Sequence, residues 1–168
     1  MEKNAAKEYL IAIAELAADG IHEAAVTDTD DGAVLLLTAG SPFGEEDELS
    51  YTVSVEDYAE GLFIFQVMIF SFKDIPQECF GELGTVINAL NTRITLGGFV
   101  LFEEERTVFF NHSFLLDETA ETAAAARILL KSIGLMENAV ANAGIWIKRL
   151  LEGELTAEAV LKALGEEE

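Results

Sequence analysis

Leu62-Phe63-Ile64-Phe65-Gln66-Val67-Met68-Ile69-Phe70-Ser71-Phe72 is the stretch that decides the fold. Aromatic and β-branched side chains dominate it, which reads as a strand. Side chains alternate between the two faces of a strand. Leu62, Ile64, Met68 and Phe70 therefore form one set, and Phe63, Phe65, Val67 and Ile69 the other. Both sets are apolar, as expected of a strand in mid-sheet with both faces covered. A membrane-spanning helix needs about 20 apolar residues, more than this run provides. Parity alone does not say which set the helices cover. The set facing away needs another cover: a second subunit, the C-terminal segment 156–164, or a client protein.

Upstream, Leu49, Tyr51, Val53 and Val55 alternate with Ser50, Thr52 and Ser54, the pattern of a half-buried strand. Segments 22–29 and 33–39 flank Asp30-Asp31-Gly32 and read as a hairpin. The loop 40–48 holds Ser41-Pro42, Gly44 and the acids Glu45, Glu46, Asp47 and Glu48. Tyr9, Leu10, Ile13, Leu16 and Ala17 fall at helical spacing and predict a helix over residues 4–19, stopped at Gly20.

Downstream, Asp74-Ile75-Pro76-Gln77 has the form of a capping box opening a helix that ends near Asn91. Phe80, Leu83, Ile87 and Leu90 form its buried stripe, and Gly84 beside them suits a close approach to the sheet. A second hairpin, 99–102 and 107–116, starts at Gly97-Gly98 and turns at Glu103-Glu104-Glu105-Arg106. Val108, Phe110, Phe114 and Leu116 share one face, which His112 interrupts; Asn111 and Ser113 lie opposite. A long helix, about 119–152, is expected next, capped by Asp117 or Thr119. Leu129, Ile133, Met136, Val140, Ala143, Ile147 and Leu150 give it a heptad seam. The seam is expected to meet helix one, the sheet or a second copy. Gly134 is a candidate break and Gly144 a weak point, each costing about 1 kcal/mol of helix propensity. Gly153 ends this helix, Thr156 caps a last one over about 156–164, and Glu166-Glu167-Glu168 is expected to fray.

The chain has 168 residues, enough for one domain with a real core, and neither an internal repeat nor a second domain is visible. It carries 31 acidic and 10 basic residues, a formal charge of −21. That balance argues against nucleic acid and anionic membrane as partners, since both need clustered Lys and Arg. Much of the acid reads as a solvated shell that maintains solubility. With Cys79 as the single cysteine, no intrachain disulfide or Cys-based zinc site can form. Met1-Glu2-Lys3-Asn4 leads into an amphipathic helix rather than the apolar core of a signal peptide, so a cytoplasmic location is expected.

Motifs of catalysis are absent: there is no Gly-x-Ser-x-Gly elbow, His-Glu-x-x-His, phosphate loop or dinucleotide fingerprint. No cofactor or metal is expected. Asp28, Asp30, Asp31 and Gly32 resemble a calcium loop faintly, but the glycine comes one place early and Ala39 stands where a glutamate is needed. They read as a turn. His112 reads first as a core histidine and second as a base or ligand. His22 reads as surface and Cys79 as a small packing residue. Trp146, one residue off the seam, is placed equally well to pack or to anchor an interface.

The element order reads as helix, three strands, helix, two strands, long helix. With Leu90-Asn91-Thr92-Arg93, Gly97-Gly98-Phe99-Val100-Leu101, Val108-Phe109-Phe110 and Phe114-Leu115-Leu116-Asp117, the chain resembles the YbjN family of bacterial proteins. That family includes sensory transduction regulators and is similar in fold to type III secretion chaperones. The resemblance implies an α+β fold, an antiparallel five-stranded sheet packed by helices, as one domain over residues 1–168. It also implies a binding or regulatory role and frequent dimerisation. It supplies no catalytic residues, and the long heptad-bearing helix departs from it.

Three functions follow as expectations. The first is a non-catalytic protein-binding module, chaperone-like or regulatory, binding a protein partner or itself. Its candidate partner-binding residues are Phe63, Phe65, Val67, Ile69 and Trp146. The second is a carrier of a small apolar ligand with a START-like cavity. The third is an enzyme built on His112 and nearby acids.

Overall fold

The computed structural model describes residues 3–18, 23–29, 32–44, 48–117 and 119–166. Gly20, His22, Asp30, Asp31, the acids 45–47, Glu167 and Glu168 lie outside them. The order is α1 (Lys3–Ala18), β1 (Glu23–Thr29), β2 (Gly32–Gly40), β3 (Glu48–Ala59), β4 (Leu62–Phe72), α2 (Phe80–Asn91), β5 (Gly98–Phe102), β6 (Thr107–Asp117), α3 (Thr122–Leu151) and α4 (Ala157–Glu166). The fold is α+β, and the described residues form an antiparallel sheet in the order β1-β2-β3-β4-β6-β5. It has six strands where the element order predicted five. All four extended stretches ahead of α2 are separate strands of the sheet, joined in three ladders, both arms of the first hairpin included.

β4 lies inside the sheet, between β3 and β6, as its composition requires. Among the described residues, helices cover only one of its faces. Phe63, Phe65, Val67 and Ile69 are buried, as are Tyr51 and Val53 across the ladder on β3, Leu35 and Leu37 on β2, and Phe110 on β6. α1 packs over β1, β2 and β3, α3 over β4 and β6, and α2 over β5. Tyr9 of α1 meets Phe63 and Phe65 edge-on, at centroid distances of 6.0 and 5.7 Å. Its hydroxyl donates to the Ala120 carbonyl at 3.0 Å, which ties α1 to the segment before α3.

The heptad seam is used within the chain. Leu129, Ile133, Met136, Val140, Ile147 and Leu150 are buried, and α3 packs against α1 and the sheet. The helix runs through Gly134 unbroken. Gly144 is buried because the Phe43 ring occupies the space a side chain there would fill. At Gly84 a Cβ would meet nothing within 4 Å, so close approach to the sheet is not its purpose.

Two expected caps are absent, those of α2 and α3, while Thr156 caps α4 by accepting from the Ala159 N–H at 3.2 Å. Asp74 takes a left-handed conformation (φ 55°), a 3-10 turn spans Gln77–Cys79, and Pro76 precedes it without a side-chain cap. Arg106 at the β5–β6 turn holds this segment instead. Its Nε donates to the Ile75 carbonyl at 2.8 Å, and its backbone carbonyl accepts from the Ile75 N–H at 3.0 Å. α3 starts at Thr122, with Glu121 at the N-cap position and no side-chain cap. Asp117 accepts from the Thr119 N–H (2.8 Å) and hydroxyl (2.5 Å), closing a turn before the helix. Those two hydrogen bonds, the hydroxyl's first, hold the Asp117 carboxyl below the usual carboxylate range.

Candidate partner-binding surface

The second face of the sheet carries Leu36 on β2, Ser50, Thr52 and Ser54 on β3, and Ile64, Gln66, Met68 and Phe70 on β4. Asn111, Ser113 and Leu115 of β6 and Gly98 and Val100 of β5 complete it. Among the described residues no helix lies over this face. Leu36 is 43% exposed, Val100 39%, Phe102 44% and Leu115 59%, while Ile64, Met68 and Phe70 are half-buried. Phe70 and Phe109 sit with ring centroids 5.6 Å apart. α4 does not provide a cover: Val160 and Leu164 are buried, and α4 packs against α2.

This placement corrects the candidate residues. Phe63, Phe65, Val67 and Ile69 belong to the core beneath the helices and are closed to any partner. The set facing away is Leu62, Ile64, Met68 and Phe70. The polar neighbours Thr52, Ser54, Asn111 and Ser113 lie on that same face, opposite Met68 and Gln66.

β3 supplies only small hydroxyl side chains at the centre of the face, so a trough follows it between Leu36 and Phe70. A groove of about 580 Å³ opens there, lined by Leu36, Thr38, Ser50, Thr52, Phe70 and Phe102, with Lys73 and Glu105 at its margin. A bulge at Ser71 marks where the face ends. Phe70 pairs with Phe109 and Phe72 with Val108, so two β4 steps match one on β6. The extra residue turns Phe72 to the helix side, where it stacks on Phe43 at 4.9 Å.

Trp146 lies elsewhere. It is half-buried in a groove of about 370 Å³ between α2, α3 and α4, with Leu90, Ile94, Leu96, Leu135, Ala143 and Leu164. Arg93 at this groove donates to the Leu164 carbonyl and so ties α4 to the end of α2. The structure therefore does not bring Trp146 together with Phe63, Phe65, Val67 and Ile69.

His112 lies on the covered face opposite Val67, with its ring edge-on to Phe114 at 4.3 Å. Desolvation moves its pKa below the ordinary histidine value. Cys79 packs half-buried against the core. Asp28 accepts from Lys7 Nζ at 2.6 and 2.9 Å, a strand-to-helix pairing. Among the described residues no three His, Cys, Asp or Glu side chains cluster as a metal site would require.

Exposed residues on β5 and β6 could have been found by extending the parity of β4 across the ladder. Ile64 faces Leu115 and Phe70 faces Phe109. The register needed for that step is a property of the ladder and is not visible in sequence. Among the described residues no helix is long and apolar enough to cross a membrane. Compared with known proteins, the sequence matches no family model and no curated protein.

Proposed function

We propose that this chain is a non-catalytic protein-binding module, chaperone-like or regulatory, that holds a protein partner on the open face of its sheet. One observation carries the reading: large apolar side chains of β2, β4, β5 and β6 share a face that the chain's own helices leave bare. Burying such a side chain contributes roughly 1.5–3 kcal/mol. Covering four or five of them would stabilise a complex substantially even after association costs. Large exposed apolar side chains gathered on one face are a mark of an interaction site. The resemblance to YbjN proteins and to the type III secretion chaperone-like fold agrees with this reading.

A second reading, a carrier of a small apolar ligand, is favoured by the Trp146 groove. The space between α3 and the sheet, where a START-like cavity would lie, is filled by Leu129, Ile133, Met136 and Val140. A ligand would therefore sit in the groove at the helix ends.

The test is affinity purification from the native host with the parent chain, Leu115→Asp and Trp146→Ala, followed by mass spectrometry. A partner retained by Trp146→Ala and lost by Leu115→Asp supports the sheet face. The same recovery from all three proteins would count against it.

A further inference from the structure

We infer that the segment occupying the open face is an amphipathic helix of a protein partner, with lysines and arginines flanking its apolar stripe. This rests on reading the face as a binding surface and adds the chemistry of the occupant.

The helical form follows from the backbone. β3 and β4 lie inside the sheet, so their N–H and C=O groups are already paired in the ladders. An extended segment laid over them would bury its own backbone polar groups without partners. A helix satisfies its backbone internally. The trough suits one as well. Its walls, on β2 and β4, have backbone axes two strand spacings apart, about 10 Å. A helix about 10–12 Å across with its side chains rests on those walls and lowers one ridge between them. The floor of Ser50, Thr52 and Ser54 leaves room for the ridge of side chains such a helix presents.

The charge follows from the perimeter. Glu23 on β1, Glu48 and Glu56 on β3 and Asp117 on β6 stand at the margins of this face, all exposed. Glu103, Glu104 and Glu105 add the turn beside Phe102. Lys73 is the one cation among the described residues that line the groove. The nearby Arg106 directs its guanidinium to the carbonyls of Ile75 and Asp74. An apolar strip inside an acidic frame favours a partner with the opposite frame. It disfavours a second copy of this chain, which would set the same acids against each other and carries a formal charge of −21.

The probe is an 18-residue helical peptide with a leucine stripe and lysine flanks, compared with versions carrying glutamine or glutamate in place of lysine. Binding to the full chain is read by fluorescence anisotropy at 150 mM salt. The lysine peptide is expected to bind at least tenfold tighter than the glutamine peptide, and the glutamate peptide least of all. Leu36→Ser and Leu115→Ser, both at exposed positions, should each weaken it at least fivefold with unchanged circular dichroism. Glu56→Lys with Asp117→Lys should do the same. Glu154→Lys with Glu158→Lys, near α4 and away from the face, should shift it less than twofold.

Equal binding of the lysine and glutamine peptides, both weakened by Leu115→Ser, would overturn the basic partner and leave the binding face standing. Binding that neither serine variant alters would overturn both readings, since bulk charge alone would then hold the peptide. A dimer in sedimentation that Leu115→Ser splits would make a second copy the occupant and overturn this inference.

Discussion

The ring of Phe43 fills the place of a side chain at Gly144: a Cβ there would lie 2.5 Å from Phe43 Cζ. Phe43 stacks in turn on Phe72, and its carbonyl accepts from Lys148, so the β2–β3 loop is fastened to α3 at this point. Gly144→Ala is expected to destabilise the protein by about 1–3 kcal/mol through overpacking, despite the helix propensity it gains. At Gly134, in the same helix, a Cβ would meet nothing within 4 Å. Gly134→Ala should therefore stabilise by up to about 1 kcal/mol. Urea unfolding of the two variants should move in opposite directions.

Asn91 closes the edge of the sheet. Its Nδ2 donates to the Phe99 carbonyl at 2.9 Å and its Oδ1 accepts from the Phe99 N–H at 2.8 Å, as a neighbouring strand would. Asn91→Ala leaves two backbone groups of β5 without these partners and should cost about 1–3 kcal/mol. Amide exchange at Phe99 should quicken more than exchange at Val67. Equal protection in parent and variant would refute the strand-like role.

Tyr51 donates to Glu137 Oε1 at 2.8 Å. Burial first, then this hydrogen bond and the charge of Glu137, push the phenol far above its ordinary value. The folded chain keeps the proton where the unfolded chain loses it. The resulting stability is complete below about pH 10, the unfolded value, and declines as pH rises above that. Tyr51→Phe should be less stable than the parent at pH 8 by about 1–2 kcal/mol. The gap should narrow by about pH 11 in denaturant titrations.

The two faces of the sheet should respond differently to the same charge. Val67→Asp places a carboxylate on the face covered by α3, where Val67 is fully buried, and should prevent folding. Leu115→Asp, on the open face at a side chain 59% exposed, should change stability by less than about 1 kcal/mol. Circular dichroism melts of the two proteins decide this. A folded Val67→Asp would mean the helices are misplaced.

The elements and their polarity are legible in the sequence without any structure. Composition made 62–72 an interior strand, alternation made 49–55 half-buried, and the heptad spacing selected Leu129 through Leu150 as a buried stripe. These are local properties, written in periods of two and three and a half residues. Which side of the sheet is core was settled only on packing. Parity divides β4 into two equally apolar sets, and nothing local distinguishes them. Helix placement does, through contacts between residues far apart in the chain, such as Tyr9 with Phe65. The bulge at Ser71 then reverses the parity of Phe72, a consequence of ladder register that no window of sequence contains. The seam of α3 met α1 and the sheet for the same reason: burial depends on which surfaces the chain brings together, and that is fixed only when all of them pack.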